Sequence, residues 1–199
     1  MLRVLPAVTA VKTRRERLLD AADLVVARDG PAASMAAIAA GAGITKPILY
    51  RVFGDKGGLY RALAERHTDT LLRALRAALT RPGDDLRARA THTVDTYLAL
   101  VSAQPATYRF LMAGEAAAEP RVRGQVASFQ RRFGDLLAAG LTIELGLAPG
   151  DHLAPVWAHA IVGMVQSAGD WWLGQPDPLP RAELTAGLVE LLLAGLPAR

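Results

Sequence analysis

Apolar residues recur at intervals of three and four along almost the whole chain, which is the spacing of one face of an α-helix. The first stripe contains Leu18, Ala22 and Val25, and it ends at Gly30-Pro31 because proline cannot continue a helix. No stretch shows sustained β-strand alternation, so the pattern predicts an all-α fold of about nine helices. We expect these helices over residues 13–29, 35–42, 46–53, 55–80, 84–103, 105–113, 121–145, 151–173 and 181–193.

The segment 34–53 predicts two short helices joined by a tight turn at Gly43, a residue that takes positive φ without steric cost. Its apolar positions converge on one shared seam, formed by Ile38, Ala42, Ile44, Leu49 and Val52. Hydrogen-bond donors and positive charge remain on the outer face of the second helix, at Thr45, Lys46, Pro47, Tyr50 and Arg51. A helix-turn-helix needs such a face to enter the DNA major groove, whereas an ordinary helical hairpin would only expose it to solvent.

Caps and breaks divide the chain into an arm, a small domain and a larger domain. Residues 1–11 lack helical periodicity and are expected to form a flexible arm. We expect residues 12–58 to form an N-terminal three-helix domain with the helix-turn-helix, and residues 59–199 to form a second helical domain. A long helix joins the two domains, because Asp55 is a good N-cap for it and Arg81-Pro82-Gly83 breaks it.

The composition indicates a protein with a substantial core, since 51% of the 199 residues are hydrophobic and 21% are charged. The absence of cysteine excludes disulfides, thiolate metal sites and cysteine nucleophiles. The longest nearly uncharged run, from Asp151 to Asp170, approaches the length of a membrane span. Its proline and polar residues would be costly in lipid, so we expect a buried helix there and a soluble, cytoplasmic protein with no membrane partner.

Positive charge is concentrated in the N-terminal third of the chain. The net charge is +4, yet residues 1–67 hold 11 Lys and Arg against 6 Asp and Glu, whereas residues 68–199 hold 12 against 13. The surplus lies in the segment that carries the helix-turn-helix pattern, and such asymmetry is the electrostatic footprint of a protein that contacts phosphate. It favours DNA binding over a solvated hairpin.

Several short motifs follow one another in a recognisable order over residues 14–63. An apolar helix ending in D-G precedes A-S-M, then I-A-A-G-A-G-I-T, then L-Y-x-x-F, and finally D-K before a second L-Y. In this order the chain resembles the TetR family of transcriptional regulators. Beyond residue 63 the resemblance extends only to chain length and helical layout. It implies a DNA-binding domain followed by a helical domain for ligand binding and dimerisation, and it leaves the ligand open.

The resemblance implies DNA contacts in and around the two short helices. Thr45, Lys46 and Pro47 would open the recognition helix against base edges and the adjoining backbone. Tyr50 and Lys56 would bind phosphate, Lys56 with the help of the helix dipole. The predicted DNA-binding residues are Ser34, Met35, Thr45, Lys46, Pro47, Tyr50, Arg51 and Lys56.

Two positions depart from the family pattern. Val52 stands where the family often has histidine or tyrosine, which predicts the loss of one polar DNA contact. Gly57 and Gly58 occupy the first turn of the long helix, where each glycine weakens a helix by roughly 0.5–1 kcal/mol relative to alanine. They predict a looser joint between the two domains.

The last two predicted helices supply a candidate dimer interface. A protein with one recognition helix per chain usually doubles it by two-fold symmetry to match a palindromic operator. Two such helices from each chain would form a four-helix bundle, although burial within one subunit is the alternative. The predicted interface residues are Ala160, Gly163, Ser167, Trp171, Leu184, Leu188, Leu191 and Leu192.

The middle helices would then enclose a ligand pocket, since aromatic and methionine side chains line lipophilic sites as well as plain cores. The candidates are Tyr97, Tyr108, Phe110, Met112, Gln125, Phe129, Phe133, Trp157, His159, Met164 and Gln166. Few charges lie among them, which favours a mostly apolar effector such as a hydrophobic drug, a sterol-like molecule or an acyl chain. Five arginines could bind an acidic head group of the effector or simply face solvent. They are Arg109, Arg121, Arg123, Arg131 and Arg132.

Nothing in the sequence favours catalysis. It contains four histidines but no H-E-x-x-H pair, no G-x-S-x-G elbow and no glycine-rich phosphate loop. His152 and His159 lie two helical turns apart without the clustered carboxylates of a metal site. We therefore expect neither an enzyme nor a cofactor or metal.

The leading hypothesis is a homodimeric repressor that an apolar effector releases from its operator. Two alternatives remain. One is a hydrophobic-ligand-binding module with only weak, non-specific DNA binding, and the other is a DNA-binding protein without an effector, whose second domain only dimerises.

Overall fold

The computed structural model describes residues 12–112, 115–148 and 150–195, and these form helices joined by short turns. The α-helices are α1 Arg14–Asp29, α2 Met35–Gly41, α3 Lys46–Phe53, α4 Lys56–Leu79, α5 Leu86–Ala103, α6 Pro105–Met112, α7 Glu115–Ala118, α8 Pro120–Glu144, α9 Leu153–Leu173 and α10 Arg181–Gly195. A short 3-10 turn, Gly30–Ala32, follows α1. Within the described residues, nine of these helices have seven residues or more, which confirms the predicted all-α fold of about nine helices.

The helix starts follow the capping signals in the sequence. Thr13 and Glu16 form a reciprocal capping box at α1. The side chains of Ser34 and Asp55 accept hydrogen bonds from the third backbone N–H of α2 and α4. The sequence prediction missed the four-residue helix α7. The predicted arm, residues 1–11, lies outside the described residues.

The first hydrophobic core is built by α1, α2, α3 and the start of α4. Two later elements also contribute to it, because Phe110 of α6 and Val122 of α8 are fully buried there. The ring of Phe110 meets the ring of Tyr60 edge to face, with centroids 4.9 Å apart. The helix-turn-helix domain therefore shares its core with two elements of the C-terminal domain.

The second core lies in the C-terminal domain, where α8 packs between α4 and α9, and α5 packs between α4 and α10. Leu75, Leu98 and Trp172 are among its buried side chains. A smaller cluster around Leu137 and Ala158 continues this core between α8 and α9. Among the described helices, none combines the length and the apolar character that crossing a bilayer requires.

Candidate DNA-binding face, ligand cavity and dimer face

The turn between α2 and α3 has the geometry that its sequence predicts. Gly43 adopts a φ of +64°, in the left-handed region that favours glycine. The N–H of Ile44 donates to the carbonyl of Ala39 at 3.0 Å, which closes the end of α2. Ile38 and Leu49 are fully buried between the two helices and fix how α3 crosses α2.

The opposite side of α3 is exposed. Thr45, Lys46, Pro47, Tyr50 and Arg51 all face solvent, and 38% of Tyr50 is accessible. Thr45 is the N-cap residue of α3, yet its hydroxyl makes no capping hydrogen bond. Lys46 and Arg51 form no ion pair with any residue in the described part of the chain. This face therefore presents a hydroxyl, a phenol and two cations, which are groups that bind phosphates and base edges.

The remaining three predicted DNA contacts differ from one another. Ser34 is exposed and its hydroxyl accepts the N–H of Ala37 at 3.2 Å, so it caps α2. The side chain of Met35 is only 6% exposed and packs in the first core, which corrects its prediction as a side-chain contact. Lys56 is half-buried, with its Nζ 5.4 Å from the centre of the Tyr60 ring.

Gly57 and Gly58 pack tightly at the joint between the domains. Both are buried, and an added Cβ on Gly58 would overlap the backbone carbonyl oxygen of Phe53 at the end of α3. A Cβ on Gly57 would lie 2.6 Å from a carboxylate oxygen of Glu119, the N-cap residue of α8. This close packing argues against a loose joint, because the two glycines allow a close approach; a looser joint stays a prediction that stability measurements test.

An ion pair reinforces this joint. Arg121 of α8 donates to Oδ1 of Asp55 at 2.7 Å, and the same carboxylate oxygen accepts the N–H of Gly58 at 2.6 Å. The Arg121 hydrogen bond and then the Gly58 N–H hold the pKa of Asp55 below its ordinary value. The start of α8 thus binds the cap of α4, directly after the recognition helix.

A second set of ion pairs joins α1 to α4. Asp20 pairs with Lys12 at 2.7 Å and with Arg66 of α4, and Asp23 lies 3.3 Å from a guanidinium nitrogen of Arg66. His67 Nε2 lies 2.7 Å from Asp23. These contacts and the first core orient α4 against the helix-turn-helix domain.

The C-terminal domain contains a cavity of about 780 Å³, which is lined by α4, α5, α6, α8, α9 and the end of α10. Its size lies within the range of small-molecule sites, and most of its wall is apolar. Six of the eleven predicted pocket residues line it, namely Tyr97, Tyr108, Met112, Phe129, Phe133 and Gln166. Ligand binding by these residues stays a prediction.

The other five predicted pocket residues lie outside the cavity wall. Phe110 points the opposite way from Tyr108, into the first core. Gln125 donates to the hydroxyl of Thr68 at 3.2 Å. His159 is exposed against α8 and lines a separate small cleft. The remaining two side chains, Trp157 and Met164, are half-buried and pack against the hydrophobic clusters of the C-terminal domain.

The sequence prediction missed the contribution of α4 to the cavity. Leu71, Leu75 and Leu79 line one side of it, but their helical spacing is equally typical of a packed core. It also missed two arginines of the wall, Arg81 and Arg89, the second of which pairs with Glu144 at 2.8 Å. The five arginines considered for an acidic head group do not line the cavity, and Arg121 and Arg132 form ion pairs elsewhere.

A short chain of hydroxyl groups crosses the cavity wall. The hydroxyl oxygens of Tyr97 and Tyr108 lie 3.1 Å apart, and the hydroxyl of Tyr108 also bonds to Asp170 of α9. Burial raises the pKa of Tyr97 to about 12. Burial also raises the pKa of Tyr108, and its contacts with Tyr97 and Asp170 raise it further. Both tyrosines therefore stay neutral at physiological pH.

An exposed stripe of apolar and small residues runs along α9. It consists of Leu153, Val156, Ala160, Gly163, Ser167 and Trp171, spaced three or four residues apart. Of its three large hydrophobic members, Val156 and Trp171 are the most exposed, at 60% and 59%, and Leu153 is 51% exposed. A stripe of this kind marks an interaction surface when it is contiguous.

The predicted dimer residues on α10 divide into two sets. Leu191 is 60% exposed. Leu188 is only 7% exposed and packs in the second core of its own chain, so its prediction as an interface residue is wrong. Leu184 and Leu192 are half-buried against that core. The helical spacing of these leucines did not reveal which of them face inward.

Across the described ranges, no group of three or more His, Cys, Asp and Glu residues is arranged to hold a metal ion. The candidate sites are thus the exposed face of α3, a mostly apolar cavity and an exposed stripe of apolar and small residues on α9.

Comparison with known proteins covers both domains. Residues 18–63 match the model of the bacterial regulatory proteins of the tetR family, and residues 74–199 match the tetracyclin repressor-like C-terminal domain. The HTH-type transcriptional activator FasR of Mycolicibacterium smegmatis is 30% identical over 183 residues, which cover 92% of this chain and 82% of FasR. An uncharacterised HTH-type transcriptional regulator of Mycobacterium tuberculosis is 35% identical over 167 residues, which cover 82% of this chain and 69% of that protein.

The fold also matches solved structures. The transcriptional regulator FadR of Bacillus subtilis, determined in complex with stearoyl-CoA, superposes with a TM-score of 0.74 at 16% identity. The match covers 91% of this chain and 98% of FadR, and at this identity it shows a shared fold. Both family models, the two curated relatives and the exposed recognition helix agree, and the chain belongs to the TetR family of DNA-binding transcriptional regulators.

Proposed function

We propose that this regulator is a homodimeric repressor, and that a mostly apolar small molecule releases it from a palindromic operator. The observation that carries the proposal is the position of the cavity. Its walls include α4 and α6, and both helices also pack against the helix-turn-helix domain. A ligand that favours one arrangement of these helices changes the spacing of the two recognition helices, and so the affinity for DNA.

In this proposal DNA contacts the exposed face of α3 and, around it, the side chains of Ser34 and Lys56 and the backbone of Met35. On that face, Arg51 has a long side chain without an ion-pair partner among the described residues, and we expect it to read guanine or a phosphate. Arg51→Ala should weaken operator binding by about 1–3 kcal/mol, roughly five- to 150-fold, in a gel shift on an operator identified by footprinting. Arg73→Ala removes an exposed charge from α4, outside the predicted DNA-binding face, and is the matched control.

An unchanged affinity of Arg51→Ala at physiological salt would contradict its role as a DNA contact. A protein that binds every sequence equally, and only at low salt, would instead be a ligand-binding module with non-specific DNA affinity. The experiment therefore also separates the two main functional hypotheses.

The proposed dimer forms through the exposed stripe of α9 and Leu191 of α10. Gly163 lies at the centre of this stripe, and an added Cβ there would have no atom of the described residues within 4 Å, so Gly163 leaves room for a partner helix. Gly163→Arg should convert the dimer to a monomer in analytical ultracentrifugation, whereas Gly124→Arg at an exposed position of α8 should not. A dimer that survives Gly163→Arg would place the interface elsewhere.

We expect a mostly apolar effector because most of the cavity wall is apolar. The FadR structure with stearoyl-CoA supports this proposal, since it shows that the same fold can accommodate a ligand with a long acyl chain. A hydrophobic compound that binds the protein should lower its affinity for the operator, which fluorescence anisotropy with labelled DNA measures. If no bound compound changes DNA affinity, the protein is a regulator without an effector.

An activator is the second candidate, because the relative FasR is named a transcriptional activator. In that case ligand-sensitive binding would raise transcription. In vitro transcription from the neighbouring promoter, with and without the protein, distinguishes the two directions.

A further inference from the structure

Hydrogen bonds link Tyr97, Tyr108 and Asp170 in a chain. Asp170, which lies outside the cavity, determines which group donates at each step. Tyr97 of α5 and Tyr108 of α6 line the cavity, whereas Asp170 of α9 is exposed and is not part of the wall. A carboxylate accepts hydrogen bonds and donates none. The hydroxyl of Tyr108 must therefore donate its only proton to Asp170.

The direction of the second bond follows from the first. Because the proton of Tyr108 is engaged with Asp170, its oxygen accepts the proton of Tyr97 across 3.1 Å. Both phenolic protons are then used within the chain. The pair offers a ligand only lone pairs of its two oxygens, and both tyrosines stay protonated because burial raises the pKa of each.

We propose that the effector carries a hydrogen-bond donor, a hydroxyl group or an N–H, on a mostly apolar body, and that this donor bonds to the oxygens of Tyr97 and Tyr108. A ligand that has only acceptors leaves these lone pairs unsatisfied when it displaces water from the cavity. This inference rests on the proposed function, because it takes the cavity as the effector site. It adds which polar group the effector must present.

Two single substitutions test the direction of the chain. Tyr97→Phe leaves Tyr108 donating to Asp170, so the free lone pair of Tyr108 still requires a donor. Tyr108→Phe removes the acceptor of Tyr97, whose proton then becomes available to the ligand. Each substitution removes one hydroxyl from the same wall, yet the first should keep the preference for donors and the second should abolish or reverse it.

The probes are isomeric pairs of 1-alkanols and alkyl methyl ethers with equal numbers of carbons, such as 1-decanol with 1-methoxynonane and their shorter and longer analogues. Affinities are measured without DNA, by titration calorimetry, on the full chain and on both variants. The native protein and Tyr97→Phe should bind the alcohol about tenfold more tightly than the ether, the size of one hydrogen bond. For Tyr108→Phe the ratio should fall to about one or below, with thermal melting as the check on folding.

Equal affinity of alcohol and ether for the native protein would overturn the inference. An undiminished preference in Tyr108→Phe would overturn it as well, as would the absence of binding by every pair up to its solubility limit. A separate anisotropy titration with operator DNA tests the proposed function. If the alcohols bind preferentially but leave DNA affinity unchanged, the donor assignment stands and the effector role fails.

Discussion

The first turn of α4 depends on Gly58, and alanine at this position should destabilise the protein although alanine is the better helix former. An added Cβ would overlap the carbonyl oxygen of Phe53 and lie 3.1 Å from its carbonyl carbon. Both atoms belong to the backbone of α3, so no side-chain rotation relieves the overlap. The end of the recognition helix must move instead.

The expected size follows from two opposing effects. Replacing glycine by alanine inside a helix stabilises by roughly 0.5–1 kcal/mol. Overpacking in a filled site costs about 1–3 kcal/mol, and the upper end applies at Gly58 because the obstacle is backbone. The net destabilisation should be about 2 kcal/mol, which for a chain of this length lowers the melting temperature by roughly 4–8 °C.

Two further glycines provide controls in the same experiment. At Gly57 the obstacle is the carboxylate of Glu119, the end of a flexible side chain, so Gly57→Ala should change stability by less than about 1 kcal/mol. At Gly124 an added Cβ meets no atom within 4 Å, so Gly124→Ala should stabilise by roughly 0.5–1 kcal/mol.

The assay is equilibrium unfolding in urea, followed by helical circular dichroism, together with operator binding. Gly58→Ala should weaken DNA binding as well as stability, because it displaces the end of α3. A Gly58→Ala protein as stable as Gly124→Ala would show that the joint is loose after all, and would refute the reasoning.

Two other perturbations follow from the contacts of α8. Because the folded-state pKa of Asp55 lies below 3.8, its interaction with Arg121 stabilises the protein above that pH and is lost as the pH falls through the folded-state value. Arg121→Ala should therefore lower the melting temperature slightly at pH 7, and by less at high salt. In strong acid the variant and the native protein should melt at the same temperature. A constant difference in melting temperature at every pH would contradict this. Gly134→Ala should be nearly neutral in urea unfolding, since the three atoms nearest to an added Cβ belong to the half-exposed ring of His159, whose outward rotation costs only a 3.9 Å contact with Asp135. A loss above about 2 kcal/mol would show that this ring is held in place.

The sequence predicted the helix-turn-helix well because local signals determine it. Capping residues, one glycine at the turn and the apolar seam each depend on neighbours within a few positions. The polar face of α3 then follows from helical periodicity alone. Met35 was misplaced because a methionine at a helix start gives no local signal of its burial.

The C-terminal domain was predicted less well because its decisive contacts are long-range. The two glycines at the start of α4 look like helix breakers until Phe53 and Glu119 are placed beside them. Leu188 and Leu191 share one periodic stripe, yet only the position of α5 decides that the first is buried and the second exposed. Periodicity predicts that a helix has an apolar face, but it does not predict what covers that face.

The short helix α6 explains both the misplaced Phe110 and the link between the domains. Tyr108 and Phe110 are two residues apart, about 200° around a helix, so they cannot face the same space. Tyr108 lines the cavity, and Phe110 lies in the first core against Tyr60. In the proposed mechanism the eight-residue helix α6 moves as one body, so a shift on its cavity side also displaces Phe110. A ligand that binds more tightly to one position of α6 therefore selects one packing of the helix-turn-helix core, without any longer pathway between the two sites.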